Sequence, residues 1–474
     1  MARSLFLAGV LGAAVLVAPA AHAAGPALTA TVVPASTWNS GYSADVTIHN
    51  TGDAAVTGWV VEFDLPTGTT VTSSWSATRT ASGNHYRFAA LSWNGTVAPG
   101  GTASFGFNAA NLGLPQNCLV NGSPCATVGS PPTSPPPTSP PPTTSPPTLP
   151  PSAGPTIDVS TAAQLSAALA SVQPGQTIRL AAGTYSGAFL GQTAGTATAP
   201  ITLTGPATAV LTNPGASGTN PGCSTPAAGF NPGYGLWLYG AAYWRLSGFT
   251  VANSAKGIVL DAAPHALIDG VDVHDIGDEG VHFRRSSADG VIENSRIERT
   301  GEVQPEYGEG IYLGSANSNW SCYGNTGGLD ASDRIQVLNN HIGPDVAAEH
   351  VDVKEGTTGG ILRGNTFNGQ GIAGQNSADS WVDVKGSDYL IQGNTGTFTA
   401  PGVFANGYET HNPTAGSGCG NTWRDNVSDL GNVGSWAIDV TSTSKCAGHL
   451  NVVYTSNTVT NALSGLTNIN PTAG

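Results

Sequence analysis

The tetrapeptide Val-Asp-Val-Lys occurs twice, at 351–354 and again thirty-one residues later at 382–385. The chain has only four lysines, Lys256, Lys354, Lys385 and Lys445, so half of them lie in this repeat. Four stretches align by their apolar residues: EGVHFRR (279–285), EGIYLGS (309–315), HVDVKEG (350–356) and WVDVKGS (381–387). Strand periodicity sends alternate side chains to opposite faces. Val281, Ile311, Val351 and Val382 then point inward, with Phe283, Leu313, Val353 and Val384. One outward row is His282, Tyr312, Asp352 and Asp383. The next is Arg284, Gly314, Lys354 and Lys385, and Glu279, Glu309 and Glu349 stand just before the strands. On adjacent strands Asp352 and Asp383 would be about 4.8 Å apart at the backbone. Two carboxylates that close do not both ionise without help. A cation bridges them, a lysine separates them, or one keeps a proton. Calcium suits an all-oxygen set such as Asp352, Asp383, Glu309 and Glu349. A lysine beside that set becomes a base only when neutral, from an ordinary pKa near 10.4. The structural alternative is an Asp–Lys ladder on a solvated face, but exposed ion pairs add little stability.

Rows of this kind need stacked strands. Short apolar runs ending in asparagine recur at Asn294, Asn340, Asn365, Asn394, Asn426 and Asn457, spaced 46, 25, 29, 32 and 31 residues apart. A unit of that size buries its apolar face only against a neighbouring copy. Asparagine suits the corner because it tolerates left-handed backbone and can bond from coil to coil. Before the repeats, Leu165, Leu169 and Val172 fall at i, i+4 and i+7 of an amphipathic helix. Residues 131–151 hold twelve prolines in twenty-one positions, an extended spacer. Upstream, SADVTIHN, GWVVEFDL and HYRFAALSW alternate like strands of a β-sandwich. The fold class is all-β throughout: residues 24–126 a sandwich, 127–155 a linker and 156–474 a stack of coils.

Residues 1–23 read as a secretory signal, with Arg3, an apolar Leu5–Val17 and an Ala-His-Ala end, so a secreted, extracellular chain is expected. The apolar run is too short to span a bilayer, and no membrane partner is expected. Six cysteines in such a chain imply disulfides: Cys118 is expected to pair with Cys125 across a short loop, and of the three pairings open to the other four, Cys223–Cys322 with Cys419–Cys446 is the one expected. A net charge of −14 excludes a nucleic-acid partner. It also means that an acidic polymer binds only through a cation or a local basic cluster.

Two resemblances sharpen this. TWNSGYSADVTIHNTG, GWVVEF, SSWSATRTASG and LSWNGTVAPGGTASFGFNA together resemble a family 2 carbohydrate-binding module over 27–125. That family binds cellulose through three coplanar surface tryptophans, which match Trp38, Trp75 and Trp93. Trp59, in an apolar strand, is expected in the core. The helix and repeats of 156–474 resemble right-handed parallel β-helix proteins of the pectate-lyase-like superfamily. That resemblance implies a calcium-assisted lyase acting on an acidic, uronate-containing polysaccharide by β-elimination, as a monomer. It implies Lys354 or Lys385 as base, with His350 as the alternative, and Asp352, Asp383, Glu309 and Glu349 as metal ligands. Arg284 or His282 would hold the substrate carboxylate, and Tyr312 and Trp381 would line sugar subsites. The rival enzyme is a glycoside hydrolase, which needs two carboxylates about 5–5.5 or 6.5–9.5 Å apart. The non-enzymatic rival is a wall-binding protein.

Overall fold

The computed structural model describes residues 28–128 and 154–473, apart from 39–40, 76, 92–93, 112, 327 and 442. The expected signal and nearly all of the expected linker, like Trp93 and the side chains of Trp38 and Trp75, lie outside the described residues. The chain divides into two compact units, 1–143 and 144–474.

The first unit is a sandwich of two five-stranded sheets, antiparallel but for the pairing of Thr31–Val32 with Thr127–Val128. The inward residues of its alternating strands meet in the middle. Phe63, Phe88, Phe105 and Phe107 pack ring on ring, with Phe88 and Phe105 4.7 Å apart. Trp59 joins them as expected. It is fully buried, stacks on Phe105 and donates its indole N–H to the Asn94 carbonyl at 2.9 Å.

The second unit is a parallel β-helix with three sheets of 11, 10 and 10 strands. Helix α1 (Ala162–Ser171) caps its first coil. Thr161 accepts from the Gln164 N–H, and Leu165, Leu169 and the capping Val172 turn into the core. One sheet carries the chemistry. Seven of its strands concern us: β1 (Lys256–Asp261), β2 (Val281–Arg284), β3 (Ile311–Leu313), β4 (Val351–Val353), β5 (Ser380–Val384), β6 (Asn406–Thr410) and β7 (Trp436–Val440). They pair in that order, and the register is the one read from the apolar alignment. Val281, Ile311, Val351 and Val382 stack in one inner row, and Phe283, Leu313, Val353 and Val384 in the next, all fully buried. Each such side chain contributes about 1.5–3 kcal/mol of burial, which fixes the register: a one-residue slip would turn both rows to water.

The asparagine ladder is real, with one correction. Asn340, Asn365, Asn394, Asn426 and Asn457 are buried, and each bonds the next through backbone N–H and side-chain amide to the following Oδ1. Asn294 stands outside that row. The ladder position in its coil is Ser295, whose N–H bonds Asn340 Oδ1 at 2.9 Å. Asn294 fills the left-handed slot one residue earlier, at φ 52°, like Asn339, Gly364, Gly393 and Asp425 in later coils. Ladder and left-handed turn are therefore neighbouring positions, because a buried amide bonding both ways has to sit in extended backbone. The three disulfides join the expected pairs.

Candidate active-site cleft

The outward row on the chemical sheet runs His282, Tyr312, Asp352, Asp383, Glu409, Asp439. Beside it runs a second row. The N–H groups of Lys354, Lys385 and His411 bond the carbonyls of Leu313, Val353 and Val384. Each of the three thus directly follows its strand, one coil apart. Glu279, Glu309 and Glu349 form a third row, tied by backbone bonds from Gly280 to Glu309 and from Gly310 to Glu349.

Lysines separate the two aspartates. Lys385 Nζ lies 3.0 Å from Asp352 Oδ1 and also pairs with Asp383 Oδ2, while Lys354 pairs with Asp352 Oδ2. His411 Nδ1 is 2.8 Å from Asp383 Oδ1, which fixes the proton on Nδ1. Burial opposes the charge on both lysines, but the surrounding carboxylates, Asp352 first, hold both pKa values above the ordinary range. Burial likewise opposes ionisation of Asp383, yet Lys385 and His411 hold its carboxyl well below the usual range. The Asp383 hydrogen bond raises the pKa of His411 above its ordinary value.

Glu309, Glu349 and Asp352 each bring a carboxylate oxygen within 4.8 Å of the other two, all buried. Burial and the nearby Asp352 push Glu309 up to about 7 and Glu349 well above its ordinary value. Glu309 Oε2 is buried without a hydrogen-bond partner. An all-oxygen, over-acidic cluster with an orphaned oxygen fits a hard divalent cation such as calcium. Asp383 is not part of that cluster; its oxygens meet Lys385 and His411.

The rows floor a cleft of two adjoining cavities. One, of about 630 Å³, is lined by Glu349, Asp352, Asp383, Lys385, His411 and Lys445 among others. The other, of about 660 Å³, is lined by Lys256, Glu279, His282, Arg284, Tyr307 and Tyr312 among others. Glu309, Lys354 and Asn376 line both. All four lysines of the chain therefore face this one cleft. Lys256 pairs with Glu279 and Asp278, and burial lowers its pKa to about 8.

Several expected roles do not survive this geometry. Arg284 is 2 % exposed and clamps Asp261 with two bonds of 2.7 and 3.0 Å under the Tyr323 ring, so it holds the fold rather than a substrate carboxylate. Arg285 beside it bonds the carbonyls of Cys322 and Cys223, anchoring the disulfide-linked loops. His282 is buried, spends its Nε2–H on the Gly314 carbonyl at 2.9 Å and is held neutral by burial. It packs edge-on against Tyr312 and has no charge for a carboxylate. His350 is fully buried on the Asn368 carbonyl, with its pKa pushed down to about 4. Trp381 stands at the same position one coil on. It lies inside β5, where strict alternation would turn it outward, yet it is fully buried. Its ring lies in the core against Phe404 and Tyr408. Tyr312 does reach the cleft, with Lys354 Nζ 4.9 Å above its ring.

His411, Lys256 and Lys445 escaped the alignment. His411 was legible: NGYETHN continues the repeat, Tyr408-Glu409-Thr410-His411 standing where Val382-Asp383-Val384-Lys385 stands one coil earlier. Lys256 pairs along the carboxylate row from an earlier coil, where no tetrapeptide marks it.

Residues 28–125 match the cellulose binding domain family, and residues 234–395 match a family described as right handed beta helix region. Endoglucanase E-5 of Thermobifida fusca is 50% identical over 115 residues, 24% of each chain. Chitinase C of Streptomyces lividans is 46% identical over 122 residues, 26% of this chain and 19% of its own. The chain thus spans less than a quarter of the length of those enzymes. A cellulose/chitin binding protein of Mycobacterium bovis is 40% identical over 126 residues, 26% of this chain and 86% of its own. Among solved structures, the alginate lyase from Paenibacillus sp. str. FPU-7 is 35% identical with a TM-score of 0.57, over 66% of this chain and 97% of that one.

Proposed function

The chain belongs to the family of the Paenibacillus alginate lyase through its β-helix, and to the cellulose binding domain family through its first unit; from this we propose that it is a polysaccharide lyase cleaving a uronate-containing polymer by β-elimination. The observation that carries the reading is the gathering of all four lysines of an acidic chain in one cleft. A −14 protein repels a polyanion everywhere except where its few cations converge.

Elimination needs the uronate carboxylate masked, a base at the adjacent C–H and a way to protonate the leaving oxygen. Lys354 and Lys385, held as ammonium ions by Asp352, bind and mask the carboxylate. Glu309, Glu349 and Asp352 would hold calcium, which when bound adds positive charge beside that carboxylate. Tyr312, under Lys354, lines the same cleft. The hydrolase reading is weaker. Asp383 is tied to Lys385 and His411, and Glu309, Glu349 and Asp352 gather on one point, each with an oxygen within 4.8 Å of the other two, rather than flanking a bond as a pair.

Residues 1–23 would direct export, 24–126 would hold the protein on cellulose through Trp38, Trp75 and Trp93, and 127–155 would space that module from the enzyme of 156–474. The first test is ultraviolet absorbance of products from alginate and pectate, with calcium and then with chelator. An unsaturated uronate absorbs and a hydrolysis product does not. A calcium-dependent rise on one polymer supports the reading. New reducing ends without absorbance, on any of these or a neutral glycan, would move the function to a hydrolase.

A further inference from the structure

The β-helix has nine arginines, and among the described residues six of them pair with a carboxylate. A seventh, Arg245, stands close enough to Glu293 to favour its charge. Arg363 and Arg424 pair with no carboxylate among the described residues, and they share one patch of surface. We propose that Arg363 and Arg424 form a second binding site, outside the cleft, for carboxylates of a uronate polymer. The choice of ligand rests on the lyase reading; the site itself does not.

The strands Ile361–Arg363, Leu390–Gln392 and Thr422–Arg424 lie side by side in the eleven-stranded sheet, not in the sheet that floors the cleft. Leu362, Ile391 and Trp423 point into the core, so Arg363, Gln392 and Arg424 point out, and the register sets them in one row. The two arginines are thus two coils apart, about 10 Å at the backbone. Gln392 stands between them with its amide already held: its Oε1 accepts from Arg424 Nη2 at 3.3 Å, and its Nε2 donates to Asp425 Oδ2 at 3.1 Å. Asp425 therefore bonds the spacer rather than a guanidinium. The next residue along the row is the buried Leu338, and Glu293 lies a further coil away.

Both guanidinium groups have bonding capacity to spare. The Nε of Arg363 and the Nε of Arg424 are each buried with no hydrogen-bond partner. Burial, and after it Arg424, pull the pKa of Arg363 below its ordinary value, a penalty that a bound anion would reverse. A guanidinium fork takes a carboxylate through two parallel N–H bonds, which suits it to this ligand better than to a neutral sugar. On a chain of net charge −14, two uncovered cations in one row are a place where a polyanion meets no repulsion. A polymer offers its carboxylates repeatedly along one chain, so one strand can engage cleft and row in turn. The second contact then raises retention on long chains without touching the bond that is cut.

The experiment is electrophoresis in native gels at low salt containing alginate or pectate, beside kinetics on the polymer and on its trimer. Three proteins are compared with wild type. Arg363→Gln with Arg424→Gln removes the site. Gln392→Glu keeps both arginines but sets a carboxylate between them. Arg179→Gln with Arg334→Gln removes two paired, exposed arginines and so makes the same change in net charge. The expected result is retardation about tenfold weaker for the first two, with KM on polymer raised about threefold or more, kcat/KM on trimer unchanged and melting temperatures near wild type. The third should be retarded like wild type. Wild-type retardation of either site variant, or an equal loss in the charge control, overturns the site. A fall in kcat/KM on trimer as large as on polymer does the same. Arginine-dependent retardation without unsaturated product from any uronate polymer would leave the site standing and overturn the lyase reading alone.

Discussion

Replacing Lys385 by methionine removes one ammonium from between two buried carboxylates. Asp352 and Asp383 are 2 % and 6 % exposed at the side chain and directly paired across adjacent strands. With charges about 5 Å apart and an effective dielectric near 20, the uncovered repulsion is about 3 kcal/mol. Breaking a buried pair by removing one partner costs about 3–5 kcal/mol. Lys354 still holds Asp352 and His411 still holds Asp383, so the expected loss sits at the low end, about 3 kcal/mol. Urea unfolding of the β-helix at neutral pH measures it. Lys385→Met combined with Asp383→Asn should recover most of the loss, since one negative charge is gone while the His411 contact keeps an acceptor. Turnover should stay low in both, because the ammonium that masks the substrate carboxylate is missing. A loss below about 1 kcal/mol, or a double variant no more stable than the single, would refute the view that the lysine is there to separate the pair.

Other consequences follow from the same geometry. Asn394→Ala strips partners from the N–H and side-chain amide of Asn365 and from the Leu362 carbonyl. At about 1–3 kcal/mol per buried unsatisfied group it should cost at least about 3 kcal/mol in urea unfolding, whereas Asn294→Gly, which keeps the positive φ, should cost under about 1. Trp381→Ala should lose about 3–5 kcal/mol of stability, from a core position, yet leave KM on the folded fraction unchanged; a raised KM with intact stability would restore it as a sugar subsite. Burial raises Glu409 from 4.5 to about 7. Between those values the folded state binds the extra proton, so its contribution to stability falls as pH rises through that window and is constant below it. Glu409→Gln should flatten that slope in thermal melts taken from pH 4 to 8, and an unchanged slope would assign it to other groups.

Much of this molecule was written in local pattern. Period-two alternation in four short strands set which residues face in and which face out, and burial of two apolar rows allowed no other register. The scarcity of lysine marked Lys354 and Lys385 before any coordinate, and the carboxylates around them followed from the same alignment. What pattern could not supply was the company each outward residue keeps. Arg284 shares a row with Lys354, but only the fold brings Asp261 and Tyr323 around it and makes it a clamp. Trp381 lies on β5 beside Asp383, but only the fold shows its ring in the core against Phe404 and Tyr408. Asp383 and Asp352 share the same tetrapeptide, yet Glu349, three residues before Asp352, and Glu309, from the preceding coil, close on Asp352 and not on Asp383. Lys256 and Lys445 reach the cleft from coils far along the chain. Alternation is decided by the backbone within a strand and so is visible in sequence. Charge, burial and the state of a proton are decided by atoms several coils away, and those meet only when the chain is wound.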